Sequence, residues 1–164
     1  MSVQLKIQRS VVEIGLDKPI RFLHVTDAHM DIDKSIGKED HVKYFEEAMR
    51  YAKENDLRIL CTGDNFKGVS DDNTAYALKH FSDERSIIIP GNHDFCGCPD
   101  NHGLDDPAYC NEYSEKLKKI YRNDIYFDSV IIDGVNFVTM QDVYYSIDAK
   151  QIALLEKKYQ RVYP

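Results

Sequence analysis

Short apolar runs separated by polar segments organise the N-terminal half of the chain. The runs at 20–26, 57–62 and 87–90 have the length and the β-branched content of buried strands. Between them, apolar side chains recur at helical spacing and predict helices near 39–54 and 73–82. This β-α-β-α-β order predicts a parallel sheet whose strands end at one common edge.

Two strand pairs are predicted outside this unit. Ahead of it, Val3–Ile7 and Val11–Leu16 are short strand-like runs on either side of a polar turn. Behind it, the runs 125–133 and 135–141 flank Asp133-Gly134, a dipeptide that favours a two-residue hairpin turn. We expect this hairpin to begin a second sheet.

Capping residues support the predicted helices. Asp148 and Gln151 have the spacing of a capping box at the start of a last helix near 149–160. The residues expected on the inner face of that helix are Ile152, Leu155 and Tyr159. The residues expected to cap the helix near 73–82 are Asp71, Asp72 and Asn73. A further helix is predicted near 109–122.

Composition narrows the possible functions. The 164 residues suffice for a single domain with its own core. The net charge of −7 disfavours non-specific binding to nucleic acids or to membranes. No apolar run approaches the roughly 20 residues that span a bilayer. Because the N-terminus also lacks a signal-peptide pattern, we expect a cytoplasmic protein with reduced cysteines.

Ligand-type residues follow each of the three predicted parallel strands. These segments are Asp27-Ala28-His29, Gly63-Asp64-Asn65 and Gly91-Asn92-His93-Asp94. Ligands of open α/β sheets bind beyond the carboxyl ends of the strands, so the three segments are expected to form one site. Their carboxylate, amide and imidazole groups suit borderline divalent ions such as Mn, Fe, Zn or Ni.

In this order and at these strand ends, the motifs resemble the calcineurin-like metallophosphoesterase family, whose pattern begins Asp-x-His, Gly-Asp, Gly-Asn-His-Asp/Glu. The resemblance covers residues 20–94. It implies an α/β fold, a four-layer αββα sandwich in which two sheets lie between helices. It also implies two divalent metal ions as cofactors, for which Mn is favoured.

The resemblance further implies a role for each residue of the motifs. Asp27 and His29 would hold the first ion, Asp64 would bridge both ions, and Asn92 would hold the second. His93 would face the scissile phosphate as leaving-group acid or transition-state stabiliser, and Asp94 would orient His93.

The implied reaction is hydrolysis of a phosphomonoester or phosphodiester, carried by a small molecule or a nucleotide. A hydroxide bridging the dinuclear centre would attack phosphorus in line while the ions neutralise charge on the other oxygens.

The sequence departs from the family pattern downstream. That pattern continues with a lone histidine and then Gly-His-x-His, whereas the last histidine here is His102. We therefore expect residues 1–164 to be a single domain truncated at its C-terminus, with an incomplete second sheet. A missing C-terminal segment or a second chain would complete the metal site. The alternative is a non-catalytic scaffold or binding module with an incomplete site.

Other potential ligands have simpler interpretations. His24 lies within an apolar strand and is expected to be a satisfied core histidine, or one that supports a ligand residue, rather than a ligand itself. His41 and His80 are expected to face solvent. A small zinc site is conceivable from the residues Cys96, Cys98, His102 and Cys110, but their spacing is not that of a standard zinc finger. Reduced thiols on a long loop beside the substrate, at 95–111, are the simpler interpretation.

Overall fold

The computed structural model describes residues 5–32, 41–68, 70–81, 86–95, 127–140 and 147–162. In chain order its elements are β1 (Phe22–Val25), α1 (Val42–Glu54), β2 (Arg58–Thr62), α2 (Asp71–His80), β3 (Ser86–Ile89), α3 (Asn92–Phe95), β4 (Phe127–Ile132), β5 (Val135–Met140) and α4 (Ala149–Val162). The predicted β-α-β-α-β unit is confirmed. The predicted helix near 109–122 and the residues Cys96, Cys98, His102 and Cys110 lie outside the described residues.

The first three strands form a parallel sheet with β2 in the middle, as predicted. Side chains alternate between its two faces, so Ile59 and Cys61 of β2 are buried on one face while Leu60 and Thr62 point to the other. All three strands end at the same edge of the sheet.

A single hydrophobic cluster packs both long helices of this unit against one face of the sheet. On α1, Phe45, Ala48 and Ala52 recur at spacings of three and four residues and are buried. On α2, Ala77 is fully buried. The members of the cluster are Met30, Phe45, Ala52, Ile59, Cys61, Phe66, Ala77, Phe81 and Ile88.

The predicted hairpin is confirmed on the opposite side of the sheet. β4 and β5 pair antiparallel, and Asp133 and Gly134 form their turn with φ angles of 49° and 84°. The ring centroids of Phe22 and Phe137 lie 5.0 Å apart, which places this second, two-stranded sheet over the first. The described residues thus establish a mixed α/β fold with two sheets, whereas the fourth layer of the sandwich stays a prediction.

The N-terminal strand pair is not observed. Residues 5–21 have no strand structure, and Val11, Val12 and Ile14 are 70%, 82% and 58% exposed. A strand needs a neighbouring strand for its backbone hydrogen bonds, and none of the described residues supplies one to this segment. The prediction for Val11–Leu16, and for the described part of Val3–Ile7, was therefore wrong.

Two details of the helices also differ from the prediction. Ser70 caps α2, because its hydroxyl accepts a hydrogen bond from the Asn73 amide at 3.1 Å. On α4 the capping box is confirmed: the Asp148 side chain accepts from the Gln151 amide at 2.8 Å, and the Gln151 side chain accepts from the Asp148 amide at 3.0 Å. Yet Gln151 is 2% exposed and Ile152 is 47% exposed, so the placement of Ile152 on the inner face was wrong.

None of the helices in the described ranges has the length and apolar character needed to cross a membrane.

Candidate metal centre

The loops that follow β1 and β2 continue side by side beyond the sheet. The amides of His29 and Met30 donate to the carbonyls of Asp64 and Asn65 at 2.8 and 2.9 Å. Met30 then forms a parallel bridge with Phe66, and both side chains are buried in the core. The segments that carry the first two motifs are therefore held at both ends, by strands β1 and β2 before them and by the Met30–Phe66 bridge after them.

Three of the predicted ligand residues have a left-handed backbone. The φ angles of Asp27, His29 and Asp64 are 53°, 43° and 49°. A residue other than glycine in this conformation lowers the stability of the fold by roughly 1–2 kcal/mol. Strained backbone of this kind is concentrated at functional sites, where it directs side chains away from the positions that regular strand geometry would give them.

Two glycines bring the β2 and β3 loops into backbone contact. Gly63 has a φ of 103°, and a β-carbon on it would lie 3.1 Å from the Gly91 α-carbon. A β-carbon on Gly91 would overlap the carboxylate and the amide of Asp64. Both positions therefore need glycine so that the three loops can meet.

Four of the predicted site residues converge in the space that these loops enclose. The Nε2 atom of His29 lies 3.9 Å from an Asp27 oxygen and 3.8 Å from Asp64 Oδ2. The His29 and His93 ring centroids are 4.7 Å apart, with an angle of 82° between the planes. One donor atom each from His29, Asp64 and His93 lies within 4.8 Å of the other two.

Asp64 uses its two carboxylate oxygens differently. Oδ1 accepts a hydrogen bond from the backbone amide of His93 at 3.0 Å. Oδ2 faces His29, and the side chain is 14% exposed. One oxygen thus fixes the β2 loop to α3, and the other is directed toward the space shared with His29.

The Asp94 carboxylate connects the loop after β2 with the loop after β3. This buried group accepts hydrogen bonds from the amides of Gly91, Asn65 and Phe66 at 2.8, 3.0 and 2.9 Å. Within the described ranges no hydrogen bond joins this carboxylate to the His93 ring, and the orientation of His93 by Asp94 stays a prediction. Burial raises the pKa of Asp94 to about 6 in spite of these donors.

Asn65 is a structural residue of the site that sequence reasoning missed. Its side-chain amide is 2% exposed and donates to the Ile89 carbonyl at 2.9 Å and to Asp94 at 3.3 Å. Its position directly after Gly63-Asp64 was the available signal. Asn92 begins α3 beside His93 and is half-buried.

The electrostatics favour the neutral form of His29. Burial, and then the neighbouring His93, lower its pKa, and these effects outweigh the two carboxylates. A neutral imidazole is the form that binds metal ions. Imidazole nitrogens and carboxylate oxygens in this arrangement fit a borderline divalent ion.

The remaining histidines are placed elsewhere. His24 is exposed on the sheet face opposite the helices, and its Nε2 atom lies 2.6 Å from the Thr62 hydroxyl. His24 is not a core residue, because the described residues leave its part of this face open to solvent although Phe137 covers Phe22 on the same face. His41 and His80 are half-buried rather than fully solvent-facing; His41 lies 3.2 Å from the Ala28 carbonyl, and His80 stacks on Tyr76.

Comparison with known proteins agrees with this site. The family model described as calcineurin-like phosphoesterase matches residues 20–159, a range that contains all three motifs and the hairpin. Neither curated proteins nor solved structures gave a match to the chain. The family match covers most of the sequence, and the strand-end motifs on which the resemblance rested come together in space. The chain belongs to the calcineurin-like phosphoesterase family.

Proposed function

We propose that this protein is a metal-dependent hydrolase of phosphomonoesters or phosphodiesters. The observation that carries the proposal is the position of His29 Nε2, within 4 Å of carboxylate oxygens from both Asp27 and Asp64. Such a group of ligand atoms at the carboxyl edge of a parallel sheet is where an α/β protein binds a ligand. Membership of the phosphoesterase family supports the reaction class.

The proposed metal ligands are Asp27, His29, Asp64 and Asn92, serving two divalent ions with Mn favoured. When bound, such ions neutralise charge on phosphate oxygens and activate water. In the proposal His93 lies against the phosphate, and Asp94 acts as a positioning residue that holds the Asp64 loop against the His93 helix. Further ligands would come from a second chain or from another segment.

The proposed substrate class comes from the family, and it is a phosphate ester of a small molecule or a nucleotide. The Asp27 side chain is 62% exposed, which is compatible with access of such a substrate to the site. The cytoplasmic location stays a prediction from the sequence.

Hydrolysis of p-nitrophenyl phosphate and of bis(p-nitrophenyl) phosphate in the presence of Mn²⁺ tests the proposal. We expect turnover by the native chain and a loss of at least about 100-fold in Asp64→Ala. Asp72→Ala is the matched control, because it removes an exposed carboxylate from the first turn of α2. A Mn²⁺-saturated chain that is inert on both esters would contradict hydrolysis by this chain alone. Either a further segment or a second chain must then complete the site, or the scaffold alternative holds.

A further inference from the structure

Lys67 brings a positive charge to the edge of the candidate metal centre, and it lies outside the three strand-end motifs. We propose that Lys67 binds a terminal oxygen of the substrate phosphate and thereby selects phosphomonoesters over phosphodiesters. The inference rests on the proposed function, because it concerns the substrate of the same site.

The backbone fixes Lys67 beside the segment that carries the first motif. Its amide donates a hydrogen bond to the Met30 carbonyl at 2.9 Å, one residue beyond the bridge between Met30 and Phe66. The side chains of Met30 and Phe66 are buried in the core, and successive residues of an extended segment point to opposite sides. The Lys67 side chain, which is half-buried, is therefore directed away from the core.

The charge of Lys67 acts on the metal centre and has no partner there. The pKa of His29 is lowered by burial, by His93 and also by the positive charge of Lys67, which therefore lies near that imidazole. Lys67 forms no ion pair with any of the described residues. No described lysine or arginine pairs with the carboxylates of Asp27 and Asp64 either. The ammonium group is thus available for an anion that a substrate brings.

The charge of the ester decides how much Lys67 contributes to its binding. Near neutral pH a phosphomonoester has three terminal oxygens that share about two negative charges. A phosphodiester has only two such oxygens and a single charge, because its second ester group occupies the third oxygen. Lysine binds phosphate as a compact point charge, so Lys67 favours the monoester.

Inorganic phosphate tests the contact itself. We would titrate it by calorimetry into the Mn²⁺-saturated native chain, Lys67→Gln, Lys67→Arg and the control Lys53→Gln. We expect Lys67→Gln to bind phosphate at least about tenfold more weakly, because a charge-assisted hydrogen bond is lost. Lys67→Arg should keep most of the affinity, since a guanidinium also binds phosphate. Lys53→Gln, which alters an exposed side chain in the last turn of α1, should match the native chain.

The two nitrophenyl esters test the selectivity. In Lys67→Gln, kcat/KM for p-nitrophenyl phosphate should fall at least about tenfold, and kcat/KM for bis(p-nitrophenyl) phosphate by less than about threefold. The affinity for Mn²⁺, measured by the same calorimetry, should not fall in Lys67→Gln, because the lysine charge repels a cation. A residue that only supports the fold or the metal centre would give the opposite result for Mn²⁺.

Three results would overturn the proposal. They are phosphate binding that is absent from the native chain or unchanged in Lys67→Gln, equal losses on both esters, and weaker Mn²⁺ binding by Lys67→Gln. Failure of the proposed function is a separate outcome: a chain that is inert on both esters but binds phosphate through Lys67 keeps the contact and loses the reaction. Calorimetry with phenyl phosphate and diphenyl phosphate then measures the selectivity without turnover.

Discussion

At the residue scale, Gly91 decides whether Asp64 can occupy its place. A β-carbon at Gly91 would meet the Asp64 carboxylate and amide. We predict that Gly91→Ala displaces Asp64 and weakens Zn²⁺ binding at least about tenfold, since a moved ligand no longer meets its partners. Calorimetric titration with Zn²⁺ measures the effect.

Gly15→Ala is the control for this substitution. Gly15 has a φ of 74° and nothing within 4 Å of an added β-carbon. Alanine there should lower the free energy of unfolding by about 1 kcal/mol through backbone strain and leave Zn²⁺ affinity unchanged. Equal Zn²⁺ affinity in both variants would show that Gly91 is not needed to place Asp64.

Cys61 gives a second prediction at this scale. The side chain is fully buried in the core, and burial raises its pKa to about 12. Because the thiolate is the reactive form, we predict that iodoacetamide leaves Cys61 unmodified at neutral pH until the chain is denatured. Peptide mass spectrometry of the native and urea-treated protein checks this; rapid labelling of Cys61 in the native protein would contradict it.

The sequence predicted which residues meet at the site but not how they meet. Strand ends and motif order were sufficient to bring His29, Asp64 and His93 to one edge of the sheet. The contact between the two histidine rings, and the hydrogen bonds of Asp94, depend on loops far apart in the chain. Local patterns carry no information about such contacts, and for the same reason the solvent exposure of His24 was missed.

At the scale of elements, Asn73 ties α2 to the loop after β1. Its buried side chain accepts from the Ile32 amide and donates to the Gly68 carbonyl, both at 2.9 Å. Asn73→Ala leaves one buried and one partly buried backbone group without these partners, so we predict a loss of about 2 kcal/mol in the free energy of unfolding. Urea denaturation measures it.

Asp72→Ala is the matched control on the same helix turn. Asp72 is exposed, and its loss removes only a favourable charge near the helix N-terminus. We expect a decrease below about 1 kcal/mol. A decrease for Asn73→Ala no larger than that of the control would argue against a bracing role.

The sequence predicted where helices form better than it predicted which face of a helix is buried. The apolar period predicted α1, α2 and α4, and the capping box of α4 was correct. The period alone could not select Gln151 over Ile152 for burial, because adjacent helical residues differ by about 100° and the partner surface decides which is covered. Ser70 was missed as a cap because several suitable residues stand together at 70–73.

At the scale of the whole molecule, Phe137 joins the two sheets. Its ring packs against Phe22 of the parallel sheet. We predict that Phe137→Thr lowers the free energy of unfolding by about 1–2 kcal/mol, since the contact removes apolar surface from water. Thermal denaturation compares it with Ile131→Thr, a substitution in the same hairpin at a side chain that is 65% exposed.

The comparison tests whether the hairpin packs as a layer. Threonine keeps the strand preference at both positions, so the difference reports packing rather than backbone propensity. Ile131→Thr should change stability by less than about 0.5 kcal/mol. A larger loss for Ile131→Thr than for Phe137→Thr would mean that the other face of the hairpin is the covered one.

The parallel sheet was predictable as a whole because strands that follow each other in the sequence are also neighbours in the sheet, joined each time by one crossover helix. The N-terminal runs looked equally strand-like, yet residues 11–16 form no strand, since strand pairing depends on a partner and not on composition alone. The Asp133-Gly134 turn was predictable because its dipeptide defines both the turn and the register of the hairpin.

The residues with a left-handed backbone in the strand-end loops lower the stability of the fold, yet their side chains are candidate metal ligands. Glycine would relieve the backbone at Asp27 or His29, so a directed evolution experiment that selects for heat resistance alone should drift toward glycine at these positions. Each such gain would remove a candidate ligand. Thermostable variants of this protein are therefore best sought away from the strand ends, where tolerance to heat can rise without erasing the site.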